Sequence, residues 1–148
     1  MQDSKNLYDI DFFAWTQEQA RLIKKKALDK LDVAHLFEEV MSMGAREKNE
    51  LTSRLTRLLM HLLKWKYQPS RQCRSWTLTI NEQRSQLAYH LEDNPSLKNP
   101  QYLDKSLERA FKTAVYEAIK ETGLDDKIFP KQCEWSIEQI LDDTFLPG

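Results

Sequence analysis

Apolar residues recur at helical spacing along almost the whole chain, and no window alternates with period two for long enough to make a strand, so the pattern predicts an all-α fold. Asp11 is placed to cap a first helix reaching about Leu28, with Phe12, Trp15, Gln19, Leu22 and Ile23 on one face. The Lys24-Lys25-Lys26 run falls near its C-terminal end, where cations suit the macrodipole. Asp32 caps a second, short helix through Met43, which Gly44 is expected to end in a left-handed conformation. The third helix, about Ala45 to Lys66, has the clearest stripe: Leu51, Leu55, Leu58, Leu62 and Trp65 in 4-3-4-3 spacing, widened by Leu59 and Leu63 and stopped by Pro69.

After a polar loop from Pro69 to Arg74, Ser75 or Thr77 opens a fourth helix to about Glu92, in which Arg84 shares a line with Ile80, Leu87 and Leu91. A guanidinium on that line is partly buried and needs carboxylate or carbonyl acceptors. Asn94-Pro95-Ser96 is a turn. Asn99-Pro100 starts a fifth helix that Leu103, Leu107, Ala110, Phe111, Ala114 and Ala118 carry to Gly123. Ser136 with Gln139 makes a capping box for a short last helix. The expectation is one domain over residues 1–148, a bundle of about five main helices plus the short C-terminal one. A chain of 148 residues with 41% hydrophobic content suffices for one such core.

The longest strictly apolar runs, such as Leu58 to Met60, are a few residues, and MQDSKNLYDIDFF lacks a basic flank followed by an apolar stretch. No membrane span and no secretion signal are expected. Cys73 and Cys133 lack the spacing of a zinc site or redox pair, which fits reduced thiols in a cytoplasm; whether they pair stays open. Formal charge is −1, from 22 Lys plus Arg against 23 Asp plus Glu, so no overall field draws the chain to DNA or anionic lipid. The segment from Arg46 to Arg74 is basic and the segment beyond Glu121 acidic. The acidic tail could dock on the basic segment, or the basic segment could meet an external anionic partner.

With glycines only at 44, 123 and 148, there is no phosphate-cradling loop, and no serine sits in a nucleophile elbow. The chemistry to weigh lies between Leu31 and Pro69, where His35, Glu38, Glu39, His61 and Lys64 stand among apolar residues. His35, Glu38 and Glu39, at i, i+3 and i+4, can share a helix face and are the candidate metal ligands. The di-metal bundle motif runs Glu-x-x-His in two copies, however, and this chain has a single His-x-x-Glu. In an antiparallel hairpin about Gly44, His35 and His61 come ~10 Å apart along the axis, too far to share an ion unless the helices cross steeply. His90, on another helix, is a further candidate contributor, and no metal site is expected. The structural reading pairs Glu38 or Glu39 with Arg84 and bonds His61 to a carbonyl or a Glu. The stretch from Trp65 to Trp76 interleaves aromatic and basic residues, including Arg71 and Arg74, and could stack bases, unless its tryptophans serve as core.

Taken in order, Tyr8-Asp9, Asp11-Phe12, Trp15, His35-Leu36 with Glu38-Glu39, Met43-Gly44, His61-Leu62-Leu63-Lys64-Trp65, Tyr67-Gln68-Pro69, Gln83-Arg84, Glu121-Thr122-Gly123-Leu124, Phe129-Pro130 and Phe145-Leu146-Pro147 resemble the bacterial family known as domain of unknown function 29. The resemblance spans nearly the whole chain. It implies an α-helical bacterial cytoplasmic protein and supplies no activity. Where that family often carries a serine after the glycine, this chain has Arg46, which leaves a helix starting there without a side-chain cap. The leading expectation is a helical interaction or regulatory module that binds a protein partner, or a second copy of itself, and needs no cofactor. In it, His35, Glu38, Glu39, His61 and Arg84 form a structural network. The alternatives are a metal-assisted or acid-base hydrolytic enzyme using His35, Glu38, Glu39 and His61 as catalytic candidates, and a weak nucleic-acid binder using the Trp65–Trp76 loop.

Overall fold

The computed structural model describes residues 4–148, so the first three residues of the MQDSKNLYDIDFF stretch lie outside the described residues. Among the described residues there are six α-helices and no strand: α1 (Ser4–Ile10), α2 (Phe12–Lys24), α3 (Val33–Tyr67), α4 (Arg74–Asp93), α5 (Pro100–Thr122) and α6 (Ile137–Leu141). Short 3₁₀ turns at Leu28–Lys30, Pro69–Arg71, Pro95–Lys98 and Asp126–Ile128 link the later ones. The all-α class read from the pattern holds.

The main correction concerns Gly44. Helix α3 runs 35 residues without a break, and Gly44 lies inside it with no left-handed backbone. Gly44 is flanked by Met41, Met43, Ala45, Arg46, Glu47 and Lys48, most of them strong helix formers. One interior glycine costs about 1 kcal/mol relative to alanine. Ending one helix and starting another would leave orphan carbonyls and N–H groups at two new termini. Continuation is therefore the cheaper course, and Arg46, as an interior residue, needs no cap. The hairpin about Gly44 is not formed, and with it goes the side-by-side placement of His35 and His61.

The left-handed glycine is Gly123 (φ 70°), which ends α5 by donating its N–H to the Ile119 carbonyl at 2.9 Å. Helix α2 ends earlier than its apolar pattern suggests, because Lys26 (φ 58°) takes the left-handed position itself. The Lys26 N–H reaches the Ile23 carbonyl at 3.0 Å and the Ala27 N–H reaches the Leu22 carbonyl at 2.9 Å, the paired closure usually built on glycine. The expected N-terminal devices are present: Asp11 accepts from the Ala14 N–H, Asn99 from the Gln101 N–H, and Ser136 with Gln139 forms the reciprocal box. Helix α4 starts at Arg74, one residue before Ser75, with Cys73 in the cap position and no side-chain cap bond.

By contact density the chain divides into two compact units, Met1–Ala45 and Arg46–Gly148, and α3 passes from the first into the second. In the second unit Leu51, Leu55, Leu58, Leu59, Leu62 and Leu63 of α3 are fully buried, together with Ile80 and Leu87 of α4, Ala110, Ala114 and Ala118 of α5, and Ile140 of α6. The leucine stripe read from the spacing is thus the core of this unit. In the first unit the buried apolar side chains among the described residues are Trp15 and Leu22, and beside them Gln19 and Asp32 are buried too. That core is small, so polar bonding has to hold much of the unit together.

A Cβ added at Gly44 would meet nothing within 4 Å, and the backbone there is helical. Gly44→Ala is expected to raise the unfolding free energy by about 1 kcal/mol in urea melts. A loss of stability would mean that the helix breaks at this residue.

Candidate functional site

In the first unit the chemistry gathers on Asp32, which is 2% exposed. Its Oδ2 accepts from the Trp15 indole N–H at 3.0 Å and faces His35 Nδ1 at 2.7 Å, while its own N–H donates to Gln19 Oε1 at 2.8 Å. Because a carboxylate only accepts, His35 Nδ1 carries the proton. Burial pushes the Asp32 carboxyl up, but the bonds from His35 and Trp15 together outweigh it and hold the group below its usual range. The Gln19 Nε2 has no partner among the described residues.

The outer side of this knot is aromatic. The Tyr8 ring stacks on the His35 imidazole at 3.9 Å between centroids and meets Trp15 edge-on at 4.8 Å. The Tyr8 hydroxyl donates to Glu39 Oε1 at 2.5 Å, and that bond, with desolvation and the carboxylate charges, pushes the phenol up to about 12. His35 and Glu39 are therefore tied to one tyrosine, while Glu38 is exposed. The aspartate fixes the imidazole orientation as an orienting carboxylate does in acid-base catalysis. Here it also does structural work, joining α2 to the start of α3 through Trp15.

A second feature of the same unit is apolar. Val33, Phe37, Val40 and Gly44 fall on one line of α3, with Met41 and Met43 beside it, and all are exposed. Phe37 is 66% exposed. Helical spacing puts this line on the opposite side of α3 from His35.

In the second unit each remaining candidate is satisfied locally. His61 is buried with Nδ1 2.9 Å from the Arg57 carbonyl, the carbonyl-bonded role anticipated for it. Burial pulls its imidazole below the ordinary histidine range, and the Lys64 and Arg57 charges add to this against the carbonyl bond. Lys64 is buried along its stem, pairs with Glu121 at 2.6 Å and lies 4.7 Å over the Trp76 ring.

Arg84 does not pair with Glu38 or Glu39. It is 2% exposed, and it donates from Nε to the Ile140 carbonyl and from Nη2 to the Phe145 carbonyl, both at 2.8 Å. Its fixed fork thereby pins the C-terminal segment, with the Asp143 and Asp142 charges opposing the effect of burial. His90, also buried, has Nε2 2.8 Å from the Glu47 carbonyl.

The Trp65–Trp76 loop spends its aromatics internally. Trp76 lies under Lys64, Tyr67 packs edge-on against Phe129 at 5.3 Å, and the Gln72 amide donates to the Trp65 carbonyl. Lys66 pairs with Glu134 at 3.4 Å, so at this point the acidic C-terminal stretch does meet the basic helix end. Arg71 and Arg74 remain exposed. Five candidates gathered by the sequence pattern are thus spread over separate local networks. Asp32, read as a cap, and Tyr8 and Trp15, read as ordinary apolar-face residues or motif letters, prove to be the partners of His35 and Glu39.

A family model described as Domain of unknown function DUF29 matches residues 7–146. No curated protein and no solved structure matches the chain. No helix among the described residues is long and apolar enough to cross a membrane.

Two measurements check these assignments. Arg84→Lys offers a point charge that reaches one of the two carbonyls, so a loss of about 2 kcal/mol is expected, with early proteolysis beyond Leu141. For His61 the unfolded chain binds a proton more readily than the folded one. Its contribution is therefore full above the ordinary histidine pKa and lost as pH falls toward the lower folded value. The urea midpoint of His61→Gln should accordingly fall less than that of the unaltered chain between about pH 7.5 and about pH 5.5.

Proposed function

The chain belongs to the DUF29 family, which brings no assigned activity, and we propose from its own geometry that it is a helical interaction module whose bare α3 face pairs with a second copy. The carrying observation is the exposure of Val33, Phe37 and Val40 on one line of α3, with Met41 and Met43 exposed beside it. Of the exposed large apolar side chains among the described residues, ten lie between Ile10 and Met43 and five beyond. A concentration of this kind marks a surface that is covered in use.

The choice of occupant rests on register. Two α3 helices laid antiparallel with Val33 opposite Gly44 bring Phe37 opposite Val40 in both directions, so the surface is complementary to itself, as a two-fold interface requires. Gly44, lacking a side chain, admits Val33 closely. The contact spans about 18 Å of helix at 1.5 Å per residue.

The exposed free thiol of Cys73 supports a reducing compartment, and we place the chain in a bacterial cytoplasm on that ground together with the family resemblance.

Light scattering across a concentration series tests the reading. The unaltered chain is expected to run as a dimer, and Phe37→Glu as a monomer with unchanged far-UV dichroism, because the side chain is exposed and its loss leaves the core intact. An unaltered chain that stays monomeric at about 100 μM, well above the dissociation constants of specific complexes, would overturn it.

A further inference from the structure

We propose that Glu47 and Glu50 of α3 together with His90 of α4 form a site for a first-row divalent cation, Zn²⁺ being the redox-inert choice. One ligand atom from each of the three lies within 4.8 Å of the others. All three residues belong to the unit Arg46–Gly148.

The histidine supplies the decisive observation. Its side chain is 7% exposed, and Nε2 stands 2.8 Å from the Glu47 carbonyl, which can only accept, so Nε2 carries a hydrogen. In the neutral ring Nδ1 then presents a lone pair, and what it faces is Glu50 Oε2 at 3.4 Å. Two acceptors face each other here across 3.4 Å, one on a buried ring and one on a half-exposed carboxylate, and a cation between them would satisfy both. Two ligands each about 2.1 Å from a shared ion at the tetrahedral angle stand roughly 3.4 Å apart, which matches this separation.

The outer contacts are also those of a metal-bound imidazole, whose second nitrogen characteristically donates to a backbone carbonyl or carboxylate and so fixes the tautomer. The half-exposed Glu47 carboxylate, whose Oε2 stands 3.7 Å from His90 Nε2, completes the three-residue set. An opening of about 370 Å³, also lined by Asp93 and Asn94, lets water reach the fourth position. Glu50 is shared: its Oε1 takes the Arg54 guanidinium at 3.1 Å, which orients the carboxylate and leaves Oε2 for the ion. An imidazole nitrogen with two carboxylates suits zinc, cobalt or nickel and not calcium or magnesium, which require oxygen throughout.

The test uses the full chain stripped of metal and titrated at neutral pH with CoCl₂, read by its d–d absorption, and with ZnCl₂ against a chromogenic chelator. One equivalent of each is expected to bind. Glu50→Gln and Glu47→Gln should each weaken binding by about tenfold or more, a loss that outer-shell changes alone can reach. The metal-free thermal midpoints should stay close to that of the unaltered chain, because the Glu50–Arg54 pair is an i,i+4 surface pair of small worth. Cys73→Ser should bind as the unaltered chain does. Absence of a stoichiometric cobalt spectrum would overturn the proposal. Binding that survives Glu50→Gln within about threefold, or is lost with Cys73→Ser, would overturn it as well, since even outer-shell ligand partners are worth more than that.

Discussion

The unbroken backbone of α3 is the constraint on which the remaining features depend. Because its hydrogen bonds continue through Gly44, no new helix termini arise there to be capped. In the second unit Leu51, Leu55, Leu58 and Leu62 of this helix are core. In the first unit Val33, Phe37, Val40 and Gly44 fall on one line of it and are exposed. A break at the glycine would have let the first stretch fold its apolar side inward, and continuity removes that freedom.

With so little apolar burial in the first unit, its polar interior has structural weight. The Asp32 carboxylate accepts from an indole N–H and an imidazole N–H on Oδ2 and from the His35 backbone N–H at 3.5 Å on Oδ1, a set that satisfies it without a full cationic partner. The second unit uses other means: Arg84 is neutralised at a distance by Asp142 and Asp143 and satisfied by two carbonyls, Lys64 by a carboxylate and an aromatic face, His61 by a carbonyl four residues back. Lys64–Glu121 is an ion pair between α3 and α5, whereas Arg84 and His61 are satisfied by backbone carbonyls. The carbonyl bonds avoid desolvating two full charges at once, and in the ion pair Glu121 stays half-exposed.

The helical class, the leucine stripe, the caps at Asp11, Asn99 and Ser136 and the turn at Gly123 were legible because each rests on local chemistry within about four residues. Gly44 was misleading for the same reason: a glycine after an apolar run looks like a helix end, and the helix formers beyond it decided otherwise. Lys26 was invisible, because nothing in a lysine run marks a left-handed residue. The site was less legible than the fold. His35, Glu39 and Arg84 were correctly singled out as groups needing partners, but the partners are Asp32, Tyr8 and the carbonyls of Ile140 and Phe145. Backbone carbonyls carry no sequence signal, and an aspartate before a helix already has a sufficient explanation as its cap.

Glu47 and Glu50 show how the fate of Gly44 propagates into chemistry. At the start of a new helix both would lie in the first turn, where the positive end of the macrodipole and unpaired N–H groups stabilise carboxylates. In the middle of a continuous helix neither stabilisation exists, and every backbone N–H around them is already used. The half-exposed carboxylates then rely on water and on side chains. Arg54 supplies one positive charge to Glu50, and His90, with its Nε2–H committed to the Glu47 carbonyl, supplies none while neutral. Two carboxylates against one guanidinium leave an uncompensated negative charge beside an imidazole lone pair. That combination of charge and donor is what a divalent cation neutralises.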